Sequence, residues 1–379
     1  MSDVRIEGFT ADRFGAVRDV FANNLASGAD LGASFCVTIA GETVVDLWGG
    51  HADEARTRPW ERDTIVNVYS TTKTMTALTA LLLADRGELD FDAPVTRYWP
   101  EFGASGKQGV KVSHLMSHSA GLSGWREPIA KQDLYDWEKV TSLLAAQEPF
   151  WEAGTAAGYH AVTQGYLVGE VVRRVTGKSL GTVFREEIAA PLGADFHIGL
   201  PASEDNRVAD LVPPPPGAGI SAVAADSLAA NMANNPGIDV LATRTRAWRG
   251  AEIPAAGGTG NARSVAAVQS ILANGGTIGG RTFLSEAGCR KALELQIEGN
   301  DLVLGIPVRY GLGFGLQGGL VPLPNSSCMY WGGYGGSLVI IDMETRSCLA
   351  YVMNRMEGTT SGDVRGFSLA MAAWQAMTS

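Results

Sequence analysis

Apolar residues Phe14, Val17, Phe21 and Leu25 recur at helical spacing after Thr10, a residue suited to an N-cap, and predict a helix running to about Ser27. Two β-prone runs follow, "ASFCVTIA" (33–40) and "TVVDLWGG" (43–50), around Gly41-Glu42. A Gly-X pair between such runs predicts a tight hairpin. The far end mirrors this arrangement. There "SLVIID" (337–342) and "CLAYVMN" (348–354) flank "METRS", and "VRGFSLAMAAWQAM" (364–377) has the pattern of a closing helix. Strands need partners and a covered face, so both chain ends are expected to share one antiparallel sheet flanked by the terminal helices.

Between the ends the period changes. "MTALTALLLADRG" (75–87), "TQGYLVGEVVRRVTG" (163–177) and "SVAAVQSILANGG" (264–276) are helical runs ending in glycine, a residue favoured past helix C-termini. "VPPPPGAG", Val212 to Gly219, fits neither a helix interior nor a central strand and is expected as an exposed loop. No repeat of fixed period appears. The expected fold is therefore α/β (α+β): a discontinuous α/β domain from residues 1–100 and 270–379, with residues 101–269 as a mainly helical insert, joined in one cooperative unit.

Composition narrows the function. With 379 residues, 45% hydrophobic, the chain can bury a large core. Its net charge of -10, with no basic block, repels phosphate backbones and anionic lipid surfaces, so neither nucleic acid nor membrane is an expected partner. A small neutral substrate suits that surface. "MSDVRIEGFTADRF" has no apolar stretch after a basic start and no later run is long enough to span a bilayer, from which a soluble, cytoplasmic location is expected. Cys36, Cys289, Cys328 and Cys348 lie far apart without C-x-x-C spacing, as small buried apolar residues would.

The chemistry concentrates in "NVYSTTKTM", Asn67 to Met75. Ser70 stands where a β-prone run gives way to a helix, a position that suits an N-cap. It also permits a nucleophile, because three residues along a helix nearly returns to the same face and brings the Lys73 amine within reach of the Ser70 hydroxyl. A lysine with its ordinary pKa of about 10.4 accepts a proton at neutral pH only if burial or nearby positive charge lowers that value. The apolar residues after Lys73 supply such burial.

Two more stretches decide between the readings. "GTAAGYHAVTQGYLVGEVVRRVTG" carries Tyr159 ahead of an amphipathic helix, and "YWGGYGGSLVIID" carries Trp331, Gly332 and Gly333 into a strand. With S-x-x-K they resemble the three motifs of the serine β-lactamase and penicillin-binding protein superfamily. The likeness continues through "DTIVNVYSTTK", "ADRGELDFDAPVTRYWPEF", "VSHLMSHSAGL" and "GADFHIGLP", and is closest to the family VIII carboxylesterases, which share the class C β-lactamase fold. The resemblance implies Ser70, Lys73 and Tyr159 as catalytic residues in a cleft between the two parts, with no metal or cofactor. It also implies an oxyanion hole from the backbone N–H groups of Ser70 and Tyr334.

The chain departs from the lactamase pattern at two points. Tyr159-His160-Ala161 lacks the asparagine found two residues after the tyrosine in class C enzymes. Trp331-Gly332-Gly333 replaces a lysine, threonine and glycine, exchanging the cation that would hold a substrate carboxylate for an apolar indole. That exchange disfavours anionic substrates and favours neutral esters with acyl or alkyl groups. Trp331, Gly332, Gly333 and His160 are the expected substrate-binding residues, the glycines because the backbone there passes close to substrate. The expected activity is hydrolysis of short- to medium-chain esters through an acyl-enzyme. On the same machinery the alternatives are β-lactam or D-amino-acid peptide hydrolysis and acyl transfer; outside enzymology, a non-catalytic binding protein on a penicillin-recognising fold.

Other motifs compete less well. "GKSLG" matches G-x-S-x-G at Ser179, but a helical run precedes it where that elbow needs a strand, so Ser179 is expected to start the next helix. His114 and His118 have metal-compatible spacing without an acidic residue as in H-E-x-x-H or a third ligand, and are expected to be satisfied by local hydrogen bonds. "GGTGNAR" (257–263) lacks the full phosphate-loop spacing and is expected to cap the following helix along the cleft wall. Among Trp125, Tyr135, Trp137 and Trp151, one or two are expected to wall the substrate site.

Overall fold

A computed structural model describes residues 5–217, 224, 226–319 and 321–378. Among these, nine strands form one sheet: β1 Ile6–Thr10, β2 Gly32–Ile39, β3 Glu42–Gly50, β4 Ile297–Asn300, β5 Pro307–Tyr310, β6 Gly315–Leu316, β7 Cys328–Gly332, β8 Leu338–Asp342 and β9 Ser347–Met353. Their spatial order is β1-β3-β2-β9-β8-β7-β6-β5-β4, antiparallel throughout. The two chain ends meet at its centre, where β2 pairs β9 from Ile39↔Ser347 to Ala33↔Met353. Both central strands are buried along nearly their whole length, so both faces of the sheet are covered.

The covering helices follow from the alternation of side chains. Ser34 and Thr38 point to one face: the Ser34 hydroxyl accepts the Ala262 N–H, and the Thr38 and Ser270 hydroxyls share a hydrogen bond. That face carries α5 (Ala262–Ala273). Phe35 and its partner Tyr351 point the other way, where Gly366 of α6 (Val364–Thr378) comes so close to Tyr351 that a Cβ would sit 3.0 Å from its ring. There α6 packs beside α1 (Gly15–Ala26). Buried Arg365 of α6 reaches Asp30 and the Gly335 carbonyl, tying the last helix to the loop after β7.

Between sheet and insert runs α2 (Thr72–Asp85), buried at every residue from Thr72 to Leu83. The insert adds α3 (Trp137–Ala146) and α4 (Thr163–Thr176), and α4 packs against α2. The boundary expected between residues 269 and 270 falls inside α5, a continuous helix seated on the sheet.

Two local expectations are corrected. Thr10 does not cap a helix; it pairs with Val45 as the last residue of β1, and the chain enters α1 through Ala11 and a 3-10 turn at Asp12–Phe14. The first hairpin turns at Ala40-Gly41, both left-handed (φ 52° and 84°), because a two-residue turn of this twist needs positive φ at both centres, which places Glu42 on the strand opposite Ile39. Pro213, Pro215 and Pro216 are exposed as the loop expectation requires; Ala218 and Gly219 of that stretch lie outside the described residues. All four cysteines are buried and free. No helix among the described residues is long and apolar enough to cross a membrane.

Candidate active site

Ser70 sits in a 3-10 turn, Tyr69–Thr71, immediately before α2. Several backbone locks fix this turn. The short strand Val66–Asn67 pairs with Thr259–Gly260 in a small second sheet, and Val68 N–H donates to the Gly258 carbonyl. The Asn67 amide accepts the Tyr69 N–H and donates to the Ala256 carbonyl, while the Thr72 hydroxyl donates to the Tyr69 carbonyl and accepts the Gly258 N–H. Tyr69 is held at φ 44°, left-handed for a bulky residue. Such strain persists only where surrounding contacts over-determine it, and here it turns the next hydroxyl into the cleft.

The Ser70 hydroxyl makes no capping bond. Instead Lys73 Nζ lies 3.0 Å and Tyr159 Oη 2.6 Å from Ser70 Oγ. Lys73 is wholly buried, and its Nζ also donates to the Ala161 carbonyl (2.7 Å) and the Ala255 carbonyl (3.0 Å). Burial drives its pKa well below the ordinary lysine range. A neutral amine has two N–H bonds and one lone pair, and two carbonyls plus one hydroxyl match that set.

Burial pushes the Tyr159 phenol above its usual range, opposed by its hydrogen bonds with Ser70 and the Trp331 indole and reinforced by the nearby Asp301 carboxylate. Asp301 escaped the sequence reading. Nearly fully buried, it accepts the Tyr159 N–H at 3.0 Å, and the same Oδ1 accepts the Val303 and Leu304 N–H groups, both at 2.9 Å. Its only trace in the sequence is an acidic residue inside "GNDLVLG", which says nothing of a partner 142 positions earlier.

Trp331 stacks on His118, with ring centroids 5.3 Å apart and planes at 19°, and packs against the rings of Tyr159 and Tyr310. Tyr334 borders the cavity that opens on Ser70. Neither the Ser70 nor the Tyr334 N–H enters a backbone hydrogen bond among the described residues. Both glycines allow close packing: a Cβ on Gly333 would lie 2.2 Å from the Val68 carbonyl, and one on Gly332 2.6 Å from the Gly362 nitrogen.

His160 does not line the cavity. It is fully buried, with Nε2 accepting the Leu122 N–H and Nδ1 donating to the Gly158 carbonyl, and burial lowers its pKa to about 4. Its neutral ring holds the loop that presents Tyr159. His114 accepts the Lys111 N–H as expected of a local bond, whereas His118 accepts the N–H of the distant His160. No cluster of three or more His, Cys, Asp or Glu side chains suited to a metal occurs among the described residues. Ser179 caps the helix Leu180–Phe184 and donates to Glu252, away from the site. Asn261 caps α5, and Ala256, just before "GGTGNAR", lines the cleft.

The cavity has a volume of about 340 Å³, and none of the described residues lining it is charged. Its apolar wall comes from Tyr69, Val162, Met232, Ile238, Leu304 and Tyr334. None of Trp125, Tyr135, Trp137 or Trp151 contributes. Their indoles are spent inside the insert: Trp125 donates to the Val140 carbonyl, Trp137 to Glu170 and Trp151 to the Ala156 carbonyl.

Comparison with known proteins agrees with this geometry. The Beta-lactamase family model matches residues 17–373. The Esterase/beta-lactamase LipL of Mycobacterium tuberculosis is 37% identical over 366 residues, which is 93% of this chain and 83% of that protein. A crystal structure of a family VIII carboxylesterase superposes with a TM-score of 0.93 at 45% identity, covering 98% of this chain and 100% of that one. A penicillin-binding protein homologue from Caulobacter crescentus superposes with the same TM-score at 40% identity and the same coverage.

Proposed function

The chain belongs to the beta-lactamase family, and from that premise we propose that it is a serine carboxylesterase acting on short- to medium-chain neutral esters through an acyl-enzyme on Ser70. The observation that carries the reading is the Ser70 hydroxyl set between a buried lysine amine at 3.0 Å and a protonated tyrosine at 2.6 Å. The absence of charge among the described residues lining the cavity, and the indole at Trp331 where the lactamases keep a cation, support a neutral substrate over an anionic one. Relatives named as esterases support the same chemistry.

In the mechanism we infer, the Lys73 lone pair takes the Ser70 proton as Oγ attacks the ester carbonyl carbon. The carbonyl oxygen gains charge between the Ser70 and Tyr334 N–H groups, donors of a kind each worth about 100- to 1,000-fold in turnover. When the carbon–oxygen bond breaks, Tyr159 gives its proton to the departing alkoxide and recovers one from the Lys73 ammonium. Water then surrenders a proton to the same pair and attacks the acyl-enzyme, and Ser70 takes its proton back as the acid leaves. The sheet layer and the helical insert serve as one catalytic unit, each supplying part of the triad.

The test is turnover of ethyl butyrate, followed by pH-stat, and of a chromogenic cephalosporin by the purified protein and its Ser70→Ala variant. Fast ester turnover that falls at least about 1,000-fold in the variant, beside marginal cephalosporin turnover, is expected. Undiminished ester turnover in Ser70→Ala, or preference for the cephalosporin, overturns the proposal.

A further inference from the structure

Beside the 340 Å³ chamber lies a second, far smaller recess of about 20 Å³. Ser70 and Tyr334 border only the chamber; Trp331, Tyr330 and Ile306 border only the recess; Tyr159, Leu304 and Thr360 border both. The two are therefore neighbouring compartments of one site. An ester bound for attack has its carbonyl carbon against Ser70 Oγ, and its alkoxy oxygen must face Tyr159 to receive the proton. The alcohol then continues past Tyr159 toward Trp331, which is the direction of the recess, and leaves the chamber to the acyl group. A volume of about 20 Å³ holds roughly one or two groups the size of a water molecule.

The divider is held rigidly. Leu304 N–H and Tyr159 N–H donate to one and the same oxygen of Asp301. The loop behind Leu304 is closed by Asp301 N–H to the Ile306 carbonyl and Gly305 N–H to the Asp301 carbonyl. One buried carboxylate thus ties the backbone of the wall at Leu304 to the backbone of the proton donor.

We propose that Leu304 divides the site into a roomy acyl chamber and a narrow alcohol notch, making the enzyme selective for esters of one- or two-carbon primary alcohols carrying larger acyl groups. This rests on the esterase reading above. A pH-stat assay of the wild-type protein tests it, using methyl, ethyl, isopropyl and cyclohexyl butyrate alongside methyl acetate, butyrate and octanoate. We expect kcat/KM to fall about 10-fold or more from ethyl to cyclohexyl butyrate, while lengthening the acyl group brings no such fall. Leu304→Ala is expected to relieve the cyclohexyl penalty about 10-fold and to preserve the acyl ranking. A flat alcohol series, or a Leu304→Ala variant that reorders the acyl series instead, overturns the division. The wild-type series decides the matter even if the variant does not fold. Ester turnover that survives in Ser70→Ala would instead remove the esterase reading itself, so the two failures are distinguishable.

Discussion

In the proposed mechanism, Lys73 is the residue on which the chemistry turns. A wholly buried ammonium with only neutral partners is costly, so burial keeps the amine neutral, and a neutral amine is a base. Tyr159 is displaced the other way and stays a proton donor. The sign of the pH dependence follows. The neutral fraction of Lys73 rises with pH and saturates above its lowered pKa, while Tyr159 loses its proton only above the usual range for a phenol. We therefore predict that kcat/KM rises on the acid side and reaches its plateau well below the ordinary lysine pKa. A rate still climbing toward the ordinary lysine value of about 10.4 would refute the depressed pKa. The same shift affects stability: below the ordinary value the unfolded chain binds the extra proton, so this residue's contribution improves as pH rises through that window. Ser70, Lys73 and Tyr159 were legible in the sequence because each lies in a motif of local spacing. Asp301 was not, because it works by accepting backbone N–H groups from a segment far away in the chain. His160 was visible as a neighbour of Tyr159 but misassigned, since nothing in its sequence context shows that Leu122 and Gly158 occupy both ring nitrogens.

Among the elements, β7 and the nucleophile turn are the pair whose spacing matters most. They are joined by Ser337, whose hydroxyl donates to the Val68 carbonyl and shares a hydrogen bond with the Thr71 hydroxyl, and by Gly333, which lies against the same carbonyl. We predict that Gly333→Ala, forcing backbone against backbone, costs more than about 1–3 kcal/mol, lowers Tm and depresses kcat by moving Tyr334 away from Ser70. Gly109→Ala, whose Cβ meets nothing within 4 Å, is the control expected to leave both unchanged. Thermal unfolding and steady-state kinetics on the two variants settle this, and an unaffected Gly333→Ala would show that the strand position is not critical. Elements with a full period of buried positions were legible: the two hairpins, α1, α2, α4, α5 and α6. The outer strands were not. β1 is a half-exposed edge of five residues, and its fit against β3 depends on Gly8, where a Cβ would lie 1.9 Å from the Asp46 carbonyl. β4 to β6 have two to four residues each, too few for an alternation to register.

At the scale of the whole molecule, the chain closes on itself so that one site draws on distant segments. Ser70 and Lys73 come from the start of α2, Tyr159 from the insert, and Tyr334 from the loop after β7, which Arg365 of the last helix holds through the Gly335 carbonyl. That the two ends share a sheet was legible from their mirrored hairpins. The extent of the sheet layer was less so, because α5 has the same helical period as the insert it follows and only its packing on β2 and β9 assigns it to the sheet. On the proposed mechanism, a site assembled once per chain carries one acyl group at a time, and this is the most direct test of the account. Intact-protein mass spectrometry of the enzyme, acid-quenched during turnover of ethyl butyrate and followed by peptide mapping, should show a single butyryl increment located on the peptide containing Ser70. Butyryl on any other residue, or turnover in Ser70→Ala with no increment at all, would contradict it.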